Sequence, residues 1–171
     1  NARDDKLQAD ADFIESEKIK NMVSISENGS KFIGPVITKS INTGVLATDI
    51  DVLTYNLESI KQLDNESISH KLIVSLAHNS RKSREYSSAN LCDEWNRCDE
   101  NLIDINTISS TATNCSSTNC YFIDVLEVKF SDDFLKNSIN KGFTLRVNYK
   151  MRSNKINVSK AYLMGYLEVV K

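Results

Sequence analysis

Apolar and polar side chains alternate most cleanly between Ile68 and Leu76, where Ile68, His70, Leu72, Val74 and Leu76 are separated by Ser69, Lys71, Ile73 and Ser75. A period of two puts the first set on one face of a β-strand. The same period recurs at Phe143, Leu145, Val147 and Tyr149, against Thr144, Arg146, Asn148 and Lys150. Leu53, Tyr55 and Leu57 mark a third strand within Ile50 to Ile60. Tyr121 to Phe130 carries Phe122, Leu126, Val128 and Phe130 on one face and Ile123 and Val125 on the other, which predicts a central strand. Phe32 to Ile41 reads as a strand confined to an edge by Pro35, since proline has no N–H to donate, and Asn42-Thr43-Gly44 breaks it. Ile156 and Val158 start another strand. Ala161 to Val170 either continues it or forms a terminal helix; strand is preferred, because aromatics and valines crowd it and Gly165 sits in its middle.

Helical spacing is rarer. Leu7, Ala11, Ile14 and Met22 give Arg3 to Met22 a narrow apolar stripe, enough for a helix that docks on the domain edge or stands as a stalk. Ser131-Asp132-Asp133 can cap a short helical turn through Asn140, with Asp132-Asp133 as the capping pair and Gly142 as the stop. His78 to Asn90, Cys92 to Asp104 and Thr107 to Asn119 are polar connections. Six to eight short strands with regular turns predict one antiparallel β-sandwich with Greek-key connections, immunoglobulin-like or transthyretin-like in architecture, with an N-terminal helix at one side. The lone Trp95 is not placed between cysteines as an immunoglobulin core requires. The expected organisation is a tag remnant at 1–2, a helix or stalk at 3–24 and one sandwich domain at 25–171.

A chain of 171 residues with 40% hydrophobic and 26% charged residues is long and apolar enough for one packed core. Its formal net charge of −2 leaves no electrostatic footprint for nucleic acid. No stretch is long and apolar enough for a membrane helix, and no charged-then-apolar export signal is visible, so a signal is expected to have been removed.

Four cysteines fall at 92, 98, 115 and 120. Their C-x5-C and C-x4-C spacings suit neither a paired zinc hook nor a thioredoxin-like C-x-x-C. An even number in polar surroundings reads as two disulfides. The local pairs Cys92–Cys98 and Cys115–Cys120 are preferred over crossed pairing. Such bridges persist outside the reducing cytosol, which points to export.

No catalytic motif emerges, and no cofactor or metal is expected. His70 sits on the apolar face of a strong strand and reads as a core histidine; His78 ends that strand without a sequence partner. Ser75 and Ser80 lack a nucleophile elbow. Asp49 and Asp51, and Asp93-Glu94 with Asp99-Glu100, lack a calcium-loop register and read as solvated carboxylates. Arg81, Lys82 and Arg84 form a candidate basic contact patch for an acidic partner, a phosphate or a lipid head group. These features point to a non-enzymatic exported bacterial cell-envelope protein, lipoprotein-derived, that docks on another envelope protein. The alternative is a sandwich that binds a glycan or small polar ligand, with Tyr86, Trp95 and Tyr121 as its aromatics; a hydrolase ranks third. Phe32 to Ile41 and Tyr162 to Val170 are the candidate docking edges.

Overall fold

The computed structural model describes residues 2–42 and 50–171. Asn1, the Thr43-Gly44 break and Asp49 lie outside the described residues. The chain runs α1 (Ala2–Met22), β1 (Ser24–Ile25), β2 (Lys31–Ile33), β3 (Ile37–Asn42), β4 (Ile50–Lys61), β5 (Ile68–Ser80), β6 (Ser88–Cys92), β7 (Ile105–Thr113), β8 (Cys120–Ser131), α2 (Asp132–Ser138), β9 (Phe143–Tyr149), β10 (Arg152–Val158) and α3 (Lys160–Val169). The fold is mainly β, in two antiparallel sheets. The large sheet has the order β1-β2-β4-β5-β8-β7, with β3 also on β4, and the small sheet has the order β10-β9-β6. Strands β3, β4 and β5 form a meander. The next strand of this sheet along the chain, β7, lies outside β8, which returns beside β5, and neither comes back beside β3, so the expected Greek key is replaced by an extended sheet.

The period-two pattern makes the core. Leu53, Leu57, Leu72, Val74, Leu126 and Val128 line the inner face of the large sheet and are fully buried with Leu145, Val147 and Ile156 of the small sheet in one cluster. Strand β5 pairs β4 on one side and β8 on the other along nearly its whole length. This is why its alternation is the clearest in the chain.

Three readings change. Phe32 to Ile41 is two strands, because the ladder to β4 breaks at Gly34-Pro35-Val36. There the Leu57 carbonyl accepts from the Gly34 N–H at 2.8 Å, while the Leu57 N–H donates to the Tyr162 hydroxyl at 3.1 Å. That hydroxyl donates to the Pro35 carbonyl at 2.9 Å, and a Cβ on Gly34 would collide with it. Thr107 to Asn119 is mostly strand β7, with a bulge between Thr107 and Ser109. Ala161 to Val170 is helix, not strand. The Ser159 hydroxyl caps it by accepting from the Tyr162 N–H at 3.1 Å, and Tyr162, Leu163, Tyr166 and Leu167 face inward at i, i+4 spacing.

Helix α1 is where the sequence placed it, but on a different face. Ser16 and Ile19 are its buried residues, and it packs on α3. Leu7, Ile14 and Met22, the expected stripe, are 60%, 56% and 61% exposed. Residues 2–11 are exposed throughout.

Candidate functional site

Polar side chains are gathered at both ends of the sandwich, and each gathering follows from strand register. At the α2 end, Ser59 of β4 lies opposite His70 of β5, and His70 lies opposite Phe130 of β8, just before α2 begins. The Ser59 hydroxyl is 2.6 Å from His70 Nδ1, and His70 Nε2 is 2.8 Å from Asp132 Oδ1. Asp132 Oδ2 pairs with Lys136 at 2.5 Å. The cap of α2 is therefore Ser131, whose hydroxyl accepts from the Phe134 N–H, and Asp132 is released to hold the histidine. Burial alone would raise the Asp132 carboxyl, but bonds from Lys136 and His70 outweigh it and hold it below its ordinary value.

The order Ser–His–Asp is that of a hydrolytic triad. Here it is sealed. Ser59 has no exposed surface, and its oxygen also meets the Tyr166 hydroxyl at 2.6 Å. Burial pushes the Tyr166 hydroxyl far above the usual phenol range, so it stays protonated against Ser59. The group ties β4, β5, α2 and α3 together and offers a substrate no approach. A fluorophosphonate probe is expected to leave Ser59 unmodified in the folded protein; a labelled Ser59 peptide would show that the seal opens.

The opposite end holds His78, Asp124, Asp51 and Arg84. Of the candidate basic patch, Arg81 and Lys82 are exposed, but Arg84 is turned inward. Its guanidinium donates to both Asp51 oxygens, at 2.5 and 3.0 Å, and lies 4.9 Å over the Tyr149 ring. Asp51 is thereby committed to an arginine rather than left as a solvated carboxylate. Tyr86 is buried beside it, with its hydroxyl donating to Asn154 at 2.8 Å, so it is removed from the set of aromatics open to a glycan.

Both disulfides are the local ones, Cys92–Cys98 and Cys115–Cys120, and no described cysteine is free. They point to a chain that works in an oxidising compartment. Cys115–Cys120 closes the β7–β8 hairpin, whose Ser80-side register places it beside the His78 end. Cys92–Cys98 lies toward the α2 end and closes a five-residue loop, Asp93-Glu94-Trp95-Asn96-Arg97. Its Cα–Cα distance of 3.8 Å clamps the base. Inside it, Asp93 Oδ1 accepts from the Trp95 and Arg97 N–H groups, both at 2.9 Å, and Oδ2 accepts from Arg97 Nε at 2.7 Å. Burial acts to raise the Asp93 carboxyl, and these bonds outweigh it and lower it. Lys155 of β10 donates to Asn96 Oδ1 at 2.7 Å, and the Asp99 N–H donates to the Leu91 carbonyl at 2.8 Å. The loop is thus fixed at its base, along its backbone and at its side.

This fixed loop presents Trp95 at 72% exposure. Glu94 beside it in the loop, and Asp99 and Glu100 just after the disulfide, make no ion pair among the described residues. A groove of about 570 Å³ runs beside the loop, with Leu91, Phe134 and Phe143 among its apolar lining and Asp93, Glu94 and Lys141 among its charged lining. The next sheet surface is saturated with its own bonds: Asn148 Nδ2 donates to Ser88 and Asn90, and Asn90 Nδ2 donates to the Asp99 carbonyl.

No protein-family model matches the chain, and neither a curated protein nor a solved structure matches it. No described helix is long and apolar enough to cross a membrane, and no described group of three or more His, Cys, Asp or Glu side chains can hold a metal ion.

The sequence named Trp95 and both disulfide pairs, and the structure joins Trp95 to one of them, Cys92–Cys98, in a single loop. It brings Arg84 to Asp51, not to Arg81 and Lys82 as a contact surface. Of the expected docking edges, β3 is an outer strand of the large sheet, whereas Tyr162 to Val170 is a largely buried helix. Another outer strand of that sheet, β7, was missed. Its signal was present: Ile105, Thr107, Ile108, Thr111 and Thr113 are β-branched.

Proposed function

We propose that the chain is a non-enzymatic, exported bacterial cell-envelope module that docks on a partner protein through the Trp95 loop. The supporting observation is one large aromatic held in solvent by a loop that is already fixed. Ordering costs little on binding when the loop is rigid beforehand, and buried tryptophans dominate interface energies. The three unpaired carboxylates in and just after the loop set the chemistry of the partner: an apolar pocket with a basic rim. In this reading α1 is the stalk of a lipoprotein-derived protein, since its first ten described residues are exposed.

A photo-crosslinking residue at position 95, in the native cell envelope, is expected to capture one protein. Raised salt should weaken that capture by screening the rim. The same residue at Met151, fully exposed on the β9–β10 turn, should capture none. With the captured protein purified, Trp95→Ala should weaken binding on the order of thirtyfold while leaving the melting temperature unchanged. Equal capture at both positions, or undiminished binding by Trp95→Ala, would remove the reading. Glycan binding is less well supported, because Tyr86 is buried and the Asn side chains near the loop are bonded to one another.

A further inference from the structure

His78 is the buried group that the docking loop does not use. Its side chain has no exposed surface, and neither ring nitrogen has a hydrogen-bond partner. It stacks on Phe122 at 5.6 Å between centroids. Its Nδ1 faces Asp124 Oδ2 across 3.9 Å, too far for a hydrogen bond. That oxygen is itself buried and unpartnered, while Oδ1 accepts from the Ser110 hydroxyl at 2.5 Å. Two orphaned polar groups facing each other in a core are costly in the neutral state of the ring.

The charged and titratable groups around it come from four places. Asp51 is on β4, Asp124 on β8, Arg84 and Tyr86 on the connection after β5, and Tyr149 on β9. Arg84 joins several of them: it is bonded to Asp51, lies 3.4 Å from both Tyr86 Oη and Asn154 Oδ1, and sits over Tyr149. The connection from β5 to β6 is thereby tied to both sheets through one cation.

We infer that this end of the sandwich is an acid-sensitive latch, in which protonation of His78 closes its ring onto Asp124 and places a second positive charge beside Arg84, loosening the Arg84–Asp51 pair. An Arg84 released in this way joins exposed Arg81 and Lys82. The basic patch that is divided at neutral pH becomes whole in acid.

Burial first, and the Arg84 charge second, hold His78 below its ordinary value, against the pull of Asp124, Asp51 and the Leu76 backbone. The ring therefore stays neutral at neutral pH. The unfolded chain takes up the proton first, at about pH 6.5. Stability from this site is accordingly present at neutral pH. It falls as pH drops below that value toward the folded one.

An NMR titration of the intact chain, from about pH 8 to about pH 4.5, tests the latch. The His78 ring resonances should titrate below about pH 6.5, and the protection factor of the Arg84 Nη–H groups, which hold Asp51, should fall on the order of tenfold with the same midpoint. His78→Gln should abolish that step. Three results would overturn the latch: Arg84 protection unchanged through the His78 transition, His78 neutral until the fold is lost, or the same step in His78→Gln. If His78→Gln does not fold, the wild-type titration alone decides.

Discussion

Replacing His70 with alanine is expected to cost on the order of 3–4 kcal/mol of folding stability, read as a lowered urea midpoint with an unchanged slope. Two terms add. The imidazole is fully buried, so its removal leaves a cavity that the flanking strands of the large sheet cannot collapse into. It also strands polar groups on both sides. Ser59 keeps only Tyr166, and Asp132 keeps only Lys136. The bonded chain closes when Nε2–H donates to Asp132, Nδ1 accepts from the Ser59 hydroxyl, and the Ser59 oxygen accepts from Tyr166. Asp132→Asn preserves the shape but takes the charge, so it should cost less, on the order of 1–2 kcal/mol. Because the Asp132 carboxyl is held below its ordinary value, its share of stability is present above the unfolded carboxylate range and is lost as pH falls through the folded value. A His70→Ala protein within 1 kcal/mol of wild type, a margin of about the net value of one ordinary hydrogen bond, would show that the network carries no stability.

The network also marks how far the sequence could be read. A strand's face is decided by neighbours two residues away, and that made β4, β5, β8 and β9 legible, with His70 assigned to the core side. What Ser59 and Asp132 do is a matter of register between strands far apart in the chain, which no local period encodes. The capping reading of Asp132-Asp133 was one residue out for the same reason: Ser131 meets the local need, and Asp132 serves a histidine 62 residues earlier. Arg84 was misread as surface because a charge run carries no mark of which member finds a buried carboxylate. The two disulfides were legible because each closes a short loop on itself. Strand β7 was missed, and helix α3 was ranked behind a strand, for opposite reasons. β7 is polar on an outer strand, where burial gives no alternation. α3 is apolar enough, and rich enough in aromatics, to imitate a buried strand, although the Ser159 cap and the i, i+4 tyrosines were available.

Gly165 was read as an interruption of a strand, and its true constraint leads to the second large effect. A Cβ at this position would press into the Ser16 carbonyl oxygen and lie 2.9 Å from Ile19 Cβ and 3.0 Å from the Lys20 nitrogen. Those are backbone and buried atoms of α1, so no rotamer change can relieve the contact; the helix itself has to move. Gly165→Val is therefore expected to strip α1 from α3. The change removes an unfavourable glycine from a helix interior, a gain of well under about 1 kcal/mol for a β-branched replacement. Against it stands the burial of Ile19, now 5% exposed, worth roughly 1.5–3 kcal/mol, together with the overpacking cost of roughly 1–3 kcal/mol. The clash wins. The Lys20–Glu168 and Lys160–Asp12 pairs across the two helices, at 2.7 and 3.3 Å, are solvent-facing and too weak to hold α1 in place. Alone, α1 is a polar helix with few apolar contacts to sustain it. Hydrogen exchange should show the amides of α1 losing protection in Gly165→Val while β4, β5 and β8 keep theirs. Protection of α1 equal to wild type would mean that the two helices are not held by this close approach. Undocked α1 with intact sheets would show that the sandwich folds without the helix, and that α1 is free to serve as the stalk.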